Sequence, residues 1–455
     1  MLWKTPILRF ITGELAIKAR QNVPLGMFSK PAIAIGDFDY PLPDEQIAYT
    51  PAPNRADSKL LVWDQDIIAE NTYSNIASYI PEQSTLIFNN SKVIAARLLF
   101  EKNNEHTNNH AQKQSIIEIF CLEPTQDYTP VLLAMQATNK VSWNCLVGGA
   151  KKWKEEIIVK EININNNTIY FNAKKIQQEN GKFVIEFSWN NNSITFSEIL
   201  TAIGKIPLPP YIQRAANQQD IERYQTTYAM EEGSVAAPTA GLHFNKAVFE
   251  SLDQKKIHQQ YLTLHVGAGT FMPVKSETID QHEMHAEFIE VDFSLIEYIY
   301  NNNQSIEQPI VAVGTTSIRT IESVYWLGVK ISQSHKKNIA LSPNELTLSQ
   351  WEAYELAIAQ LSVKESMHVL MLWMQLNQIN KLIAKTQLMV TPGYTFKVCK
   401  GLITNFHQPK STLLLIIAAI TGNQWRDVYT HALKNKYRFL SYGDGCLFWI
   451  KQQEV

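Results

Sequence analysis

The sequence predicts a run of short strands with no helix between them, and this run limits the possible folds more than any other feature. From about Ser115 to Trp189, apolar segments of strand length alternate with polar turns. Gly148-Gly149 and Asn180-Gly181 supply turn residues, and Asn-Gly is a strong hairpin signal. The predicted strands are Ile116–Leu122, Val131–Gln136, Ser142–Val147, Glu156–Lys160, Thr168–Asn172 and Phe183–Trp189. This pattern predicts a small antiparallel barrel.

The segments on either side of the barrel alternate strands and helices. Leu60–Trp63 and Thr85–Phe88 are typical of short buried strands, and Ile67–Tyr79 between them fits a helix or mixed structure. Further along, Val311–Gly314 predicts a buried strand that leads into a helix from about Ser317.

The strand run therefore predicts a domain inserted into a larger one. The predicted fold class is an α/β main domain with an inserted small antiparallel β-barrel domain. The predicted parts are an N-terminal extension (1–36), a discontinuous α/β catalytic domain (37–97 and 197–455) and the inserted barrel (98–196).

A helical insertion is predicted at 327–390, inside the α/β domain. Three capping-box patterns occur there: Ser342-x-x-Glu345, Ser349-x-x-Glu352 and Ser362-x-x-Glu365. The last precedes Met367–Leu376, which is apolar on almost every side. We expect two or three helices, one of them well buried.

Charge and cysteine content bear on three classes of protein: RNA-binding proteins, proteins held by disulfides or zinc, and membrane proteins. The chain has 41 Lys+Arg against 43 Asp+Glu, so RNA binding would need a local basic face. Candidates are Lys151-Lys152-Trp153-Lys154, whose aromatic side chain could stack on a base, and Lys434–Arg438. The four cysteines form no C-x-x-C pair, and no apolar run approaches the roughly 20 residues of a membrane span. We predict a cytoplasmic protein that does not enter a membrane.

Five clusters of small and polar residues lie in segments that otherwise look buried. Each alone could be structural, as glycines permit turns and hydroxyls cap helices. Together, with His243, His265, His285 and His407 among them, they predict a polar ligand pocket. The clusters are Pro207–Ile212 with Arg223–Thr226, Ala236–Phe244, Leu264–Phe271 with His282–Glu287, Val313–Arg319, and Thr404–Thr412 with Ser441–Asp444.

Common catalytic motifs are missing. The chain has no Walker A sequence and no G-x-S-x-G elbow, and Gly267-x-Gly269 lacks the third glycine of a dinucleotide fingerprint. In His282-Glu-Met-His285 the histidines are three residues apart instead of four. A metallohydrolase that uses His282, His285, Glu287 and His407 therefore remains an alternative with poor spacing.

The clusters resemble, in order along the chain, the motifs of a known enzyme family. Over roughly 37–98, 197–326 and 390–448 the chain is similar to the QueA family of S-adenosylmethionine:tRNA ribosyltransferase-isomerases. The matching motifs are Asp37–Pro43, Val93–Leu98, Pro207–Ile212, Arg223–Tyr228, Val235–Phe244, Leu264–Val274, Met284–Glu287, Ala312–Arg319, Pro392–Lys397, Leu402–Leu413 and Ser441–Asp444.

The resemblance implies a step of queuosine biosynthesis. The family moves the ribosyl part of S-adenosylmethionine onto 7-aminomethyl-7-deazaguanine at the tRNA wobble position and isomerises it, giving epoxyqueuosine. Adenine and methionine leave. S-adenosylmethionine is a co-substrate, so no cofactor and no metal are expected, and the implied partner is tRNA. The family fold likewise has an α/β domain and an inserted barrel. We expect a monomer.

The site prediction combines this resemblance with the chemistry. Removing the ribose C5′ proton needs a base within hydrogen-bond reach, for which His243 or His265 is preferred. The positively charged sulfonium would be stabilised by a carboxylate or an aromatic face, for which Glu287, Asp444 and Phe271 are candidates. Arg319 or Lys410 could pair with the methionine carboxylate or a tRNA phosphate. The catalytic candidates are His243, His265, His285, Glu287, His407 and Asp444. The substrate-binding candidates are Thr239, Gly241, Gly267, Gly269, Thr270, Phe271, Thr315, Thr316, Arg319, Asn405, Lys410, Ser411 and Thr412.

Three departures from the family pattern leave a second function open. Asn89-Asn90-Ser91 stands where the family often has Asn-Asp-Ser/Thr, and Gly445-Cys446 replaces the more usual Ala-Met. The 327–390 segment is longer than the family's usual connection. The alternative is a diverged paralogue that binds tRNA without this activity or acts on a different substrate.

Overall fold

The computed structural model describes residues 29–102, 115–128, 130–179, 181–267, 274–302 and 308–451. The strands, in chain order, are β1 Lys59–Asp64, β2 Ile67–Thr72, β3 Thr85–Asn89, β4 Ser91–Val93, β5 Arg97–Lys102, β6 Ser115–Pro124, β7 Lys140–Gly148, β8 Ile157–Ile164, β9 Asn167–Glu179, β10 Lys182–Trp189, β11 Glu231–Ser234, β12 His258–His265, β13 Glu287–Asp292, β14 Ile310–Val313, β15 Thr347–Leu348, β16 Lys381–Thr386, β17 Gly401–Asn405 and β18 Gly445–Trp449.

The α-helices in these ranges are α1 Val131–Gln136, α2 Phe196–Ile203, α3 Gln218–Arg223, α4 Lys246–Gln254, α5 Phe293–Asn302, α6 Thr315–Lys336, α7 Glu352–Leu356, α8 Val363–Leu376, α9 Thr412–Thr421 and α10 Trp425–Lys434. No helix in the described part of the chain combines the length and the apolar character that a membrane span requires.

A ten-stranded mixed sheet forms the framework of the α/β part, in the order β15-β16-β13-β12-β3-β14-β17-β18-β1-β2. Its four central strands, β12, β3, β14 and β17, are mutually parallel, so their carboxyl ends share one edge. β18 runs antiparallel to β17 and therefore begins at that same edge. β3 and β14 are buried along their whole lengths, as expected for strands covered on both faces.

The inserted part is a six-stranded antiparallel sheet in the order β5-β6-β7-β10-β9-β8. It is nearly closed: on β8 the ammonium of Lys160 donates to the Leu99 carbonyl of β5 at 2.9 Å. Phe171 and Phe187 stack in its core, with ring centroids 5.4 Å apart. The structure thus confirms the predicted fold class.

One predicted barrel strand is wrong. Val131–Gln136 is helix α1, which buries Val131, Ala134 and Met135 and exposes Leu132 and Leu133. An i, i+3, i+4 spacing of buried residues is helical, but five consecutive apolar residues hide that period in the sequence. The sixth strand is β5, which lies at the predicted start of the insertion and was not predicted as a strand.

The 327–390 segment is only partly helical. Ser362 and Glu365 form the predicted capping box at the start of α8, which buries Met367, Leu370 and Met374. The Ser342 pattern precedes a 3-10 turn instead of an α-helix. The segment also contributes β15 and β16, which extend the large sheet beyond β13.

Candidate active site

A cleft lies at the sheet edge where the central parallel strands end, a common position for ligand sites in α/β folds. It measures about 700 Å³, including the solvent at its mouth. All five predicted clusters contribute to its wall. The lining residues are Tyr211, Ala237, Pro238, Thr239, Ala240, Val266, Gly314, Thr315, Thr316, Thr404, Asn405, Phe406, His407, Gln408, Ser411, Leu413, Leu440 and Ser441.

The strand topology explains this convergence. Val266 directly follows β12, Gly314 follows β14, and Phe406 and His407 follow β17. Ser441 precedes β18, which starts at the same edge because it is antiparallel to β17. Segments that are far apart in sequence therefore meet at one edge.

One wall is the start of the 22-residue helix α6. Gly314, with φ 96°, makes the sharp turn from β14 into the helix, a backbone conformation that favours glycine. Thr315 and Thr316 occupy the first turn, where backbone N–H groups have no partner within the helix. Such a helix start favours anions and hydroxyl or carbonyl oxygens.

His407 lines the cleft, and in the described part of the chain the other cluster histidines, His243, His265, His282 and His285, do not. Its Nε2 lies 3.0 Å from the Thr404 hydroxyl. Its backbone carbonyl accepts from Tyr40 and its backbone N–H donates to Tyr429 at 3.1 Å. Burial lowers the pKa of His407 to about 3, so its imidazole is neutral near pH 7.

Asn405 connects the cleft to His243. The Asn405 side chain accepts from the Thr239 hydroxyl at 2.9 Å and lies 3.2 Å from His243 Nε2. His243 stacks on Tyr73 with centroids 4.4 Å apart. Burial lowers its pKa to about 3. His243 lines a smaller neighbouring pocket instead of the cleft.

Glu287 and Arg319 form a buried ion pair, with 2.6 Å between Oε2 and Nη1 and 5% of each side chain exposed. Glu287 also accepts the Gly267 N–H at 3.4 Å, and Arg319 Nε donates to the Leu388 carbonyl at 3.2 Å. The pair joins the start of β13 to helix α6, and through the Gly267 N–H it also holds the segment after β12. Neither side chain belongs to the cleft wall.

Other predicted side chains also lie off the wall. Asp444 accepts the backbone N–H groups of Lys59 and Arg438 at 2.9 and 2.7 Å, so it holds the chain that leads into β18. Lys410 pairs with Asp39 at 2.7 Å. Thr412 begins α9, next to the lining residue Ser411.

Gly241 is buried beneath the second cluster. A Cβ there would lie 1.9 Å from the Tyr228 hydroxyl oxygen, so only glycine fits. Its contribution is close packing, since it does not line the cleft.

The remaining predicted histidines are separate from the cleft wall. His265 Nε2 lies 3.3 Å from Glu290, and His285 is exposed. Within the described ranges, no group of three His, Cys, Asp or Glu side chains is placed to hold a metal ion. Gly269, Thr270 and Phe271 lie outside the described residues.

Tyr211 and Ser441 line the cleft, and neither is among the site residues that the sequence predicts. The Tyr211 hydroxyl donates to the Ser441 hydroxyl, which joins the first cluster to the last. Both residues stand inside the clusters, so membership of a cluster was the signal that could have identified them.

Two sequence departures have local explanations. Asn90 accepts a hydrogen bond from the Thr263 hydroxyl at 2.7 Å, a bond that an aspartate could also accept. A Cβ at Gly445 would lie 2.4 Å from the Tyr73 ring, so only a residue without a side chain fits beside Tyr73.

Trp153, predicted to stack on a base, is only 2% exposed and so cannot do so.

The fold and the cleft define an α/β protein with an inserted antiparallel barrel and a hydroxyl-rich cleft at the carboxyl edge of its parallel strands. The sequence profile of a family described as "Queuosine biosynthesis protein" matches residues 35–448. The chain therefore belongs to that family, which confirms the resemblance. The chain is also similar to a crystal structure, at 2.00 Å resolution, of S-adenosylmethionine tRNA ribosyltransferase from Thermotoga maritima. The identity is 24% and the TM-score 0.41, with 90% of this chain and 99% of that chain covered.

Proposed function

We propose that the protein transfers and isomerises the ribosyl moiety of S-adenosylmethionine onto 7-aminomethyl-7-deazaguanine at the tRNA wobble position. The products would be epoxyqueuosine-tRNA, adenine and methionine. The observation that carries the proposal is the convergence of five separate polar clusters on one cleft. Membership of the queuosine biosynthesis family supports it.

The cleft offers suitable partners for a ribose. Thr239, Thr315, Thr316 and Ser411 place hydroxyl groups along its wall. The Thr239 and Ser411 hydroxyls already donate, to Asn405 and to the Gln408 carbonyl, so they offer acceptor sites to a ribose hydroxyl. The Thr316 hydroxyl accepts from the Asn89 amide and keeps its own O–H as a donor. The start of α6 supplies N–H groups for an oxygen of the sugar or of the methionine carboxylate.

We assign His407 the role of the imidazole facing the reacting nucleoside. Its low pKa keeps it neutral, so it can accept a hydrogen bond without carrying charge beside a cationic sulfonium. His243 does not line the cleft, and we assign it the role of positioning Asn405, the wall residue that it contacts. Glu287, Arg319 and Asp444 hold backbone or each other, so we assign them positioning roles.

Turnover tests the proposal directly. The purified protein is incubated with S-adenosylmethionine and tRNA carrying 7-aminomethyl-7-deazaguanine, with EDTA present. Equimolar adenine and epoxyqueuosine are expected, and tRNA with guanine at the wobble position should release no adenine. Absence of adenine with tRNA binding intact would instead indicate the diverged paralogue. Activity that EDTA abolishes and added metal restores would indicate the metal alternative.

A hydroxyl variant ties the activity to the cleft. Thr315→Val removes one wall hydroxyl at nearly constant shape, and kcat/KM should fall about tenfold, the effect of one lost hydrogen bond. Thr201→Val is the matched control, because that exposed threonine in α2 lies away from the cleft. Equal kcat/KM values for the two variants would show that the Thr315 hydroxyl does not contact the substrate.

A further inference from the structure

A second, smaller pocket adjoins the cleft and shares Ser441 with it. It measures about 250 Å³, including the solvent at its mouth. Its wall comes from the segment before β1, the end of α3, and the residues near His243 and Tyr442. The lining residues are Pro51, Ala52, Arg55, Ser58, Arg223, Leu242, His243, Ser441 and Tyr442.

Two guanidinium groups are fixed in this pocket by backbone carbonyls. Arg55 donates to the carbonyls of Leu242 and Glu222 at 3.0 and 2.9 Å. Arg223 donates to the carbonyls of Pro53 and Ala52 at 3.0 and 2.7 Å. A guanidinium has five N–H donors, so each retains further donors, and the buried Nε of Arg223 has no partner among the described residues.

The positive charges of Arg55 and Arg223 are not neutralised by an ion pair with a described carboxylate. Neither Arg55 nor Arg223 forms a salt bridge to a described carboxylate, although exposed Glu222 lies close enough to act on Arg55. Burial and the neighbouring charge of Arg223 lower the pKa of Arg55. The nearby Arg214, by contrast, pairs with Asp220 at 2.6 Å. Two fixed guanidinium groups in one cavity, neither with an ion-pair partner among the described residues, form a receptor for an anion with several oxygens.

We propose that the Arg55–Arg223 pocket binds a phosphodiester group of the RNA strand, adjacent to the nucleoside held in the cleft. This inference rests on the proposed function, which brings an RNA strand to the cleft. Ser441 lies in the walls of both the cleft and the pocket, so the two sites are neighbours. A phosphodiester directly joins one nucleoside of an RNA to the next, so a nucleoside in the cleft would bring its own phosphodiester to the pocket. The hydroxyl groups of Ser58 and Ser441 supply further donors.

The test is the salt dependence of tRNA binding. The affinity of the full chain for substrate tRNA is measured between 50 and 200 mM KCl, with wild type, Arg55→Gln, Arg223→Gln and Arg223→Lys. Each Gln variant should flatten the slope of log K against log salt by about 0.7 to 0.9, the loss of roughly one phosphate contact. Arg223→Lys keeps the charge and should keep the slope. Arg426→Gln is the matched control, an exposed arginine that also bonds a backbone carbonyl.

The possible outcomes are separable. A weaker affinity with an unchanged slope would show that the arginines only hold the backbone, and it would overturn the inference. A raised KM for S-adenosylmethionine with an unchanged slope would assign the pocket to the methionine carboxylate, and it would also overturn the inference. Failure of the proposed function appears separately, as wild-type protein that releases no adenine. If a Gln variant does not fold, Arg223→Lys still tests the inference. A slope of log K against log salt that is flatter than wild type by about 0.7 to 0.9 in this variant would show that the positive charge is not what binds the RNA, and it would overturn the inference.

Discussion

Neutralising Glu287 should destabilise the protein far more than neutralising a surface carboxylate. Glu287→Gln keeps the size of the side chain and an oxygen for the Gly267 N–H, but it leaves Arg319 without its counter-charge. Only 5% of each side chain of the pair is exposed, so solvent cannot compensate. Arg319 Nη2 already has no partner among the described residues. Breaking a buried ion pair from one side costs about 3–5 kcal/mol.

The assay is urea unfolding at pH 7, followed by tryptophan fluorescence. Glu287→Gln and Arg319→Met should each lower the free energy of unfolding by about 3–5 kcal/mol. The double variant should lose much less than the sum, because it leaves no unpaired charge in the interior. Glu250→Gln is the control, since its pairing with Lys246 is 3.7 Å long with 92% of the lysine side chain exposed, and it should produce no measurable change. An equally small effect of Glu287→Gln, or simple additivity in the double variant, would refute the reasoning.

Three further predictions follow from other buried contacts. Because His407 has a pKa of about 3 when folded and an ordinary value of about 6.5 when unfolded, the unfolded state takes up a proton first as the pH falls, so stability is lost between these values. His407→Gln should reduce this loss by about 1 kcal/mol per pH unit in urea titrations from pH 6 to 4, whereas the exposed His285→Gln should not. Gly328→Ala should lower the melting temperature despite alanine's helix preference, because the new Cβ would lie 2.4 Å from the Ser366 carbonyl oxygen of α8; an unchanged melting temperature would contradict this packing. Glu322→Gln should cost about 1–3 kcal/mol or more in the urea assay, because that carboxylate accepts three backbone N–H groups, from Lys397 to Cys399; a loss below 1 kcal/mol would mean that the amide replaces it adequately.

Elements that have strong local patterns could be predicted from the sequence alone. Runs such as Thr85–Phe88 predicted central strands, because strands buried on both faces are continuously apolar. Ser362 and Glu365 predicted the start of a helix, because the capping box is made by side chains three residues apart. The five clusters predicted a polar pocket, since small and hydroxylic residues in buried segments need a purpose beyond packing.

Which cluster residues line the cleft depends on how the chain folds. Strand order and direction place the ends of β12, β14 and β17 at one edge, and a linear sequence does not contain those pairings. Of the cluster histidines, only His407 follows a strand whose end opens into the cleft in the described structure, while His243 packs on Tyr73 behind the wall.

Segments whose local pattern is ambiguous likewise take their structure from long-range packing. Val131–Gln136 is uniformly apolar, so only its packing shows that it is a helix. β16 becomes a strand because it pairs with the edge strand β13, and β15 in turn pairs with β16. The physical reason is the same throughout: backbone pairing, burial and charge neutralisation depend on neighbours distant in sequence, so the residues on the cleft wall and the residues that hold it in place look alike until the chain is folded.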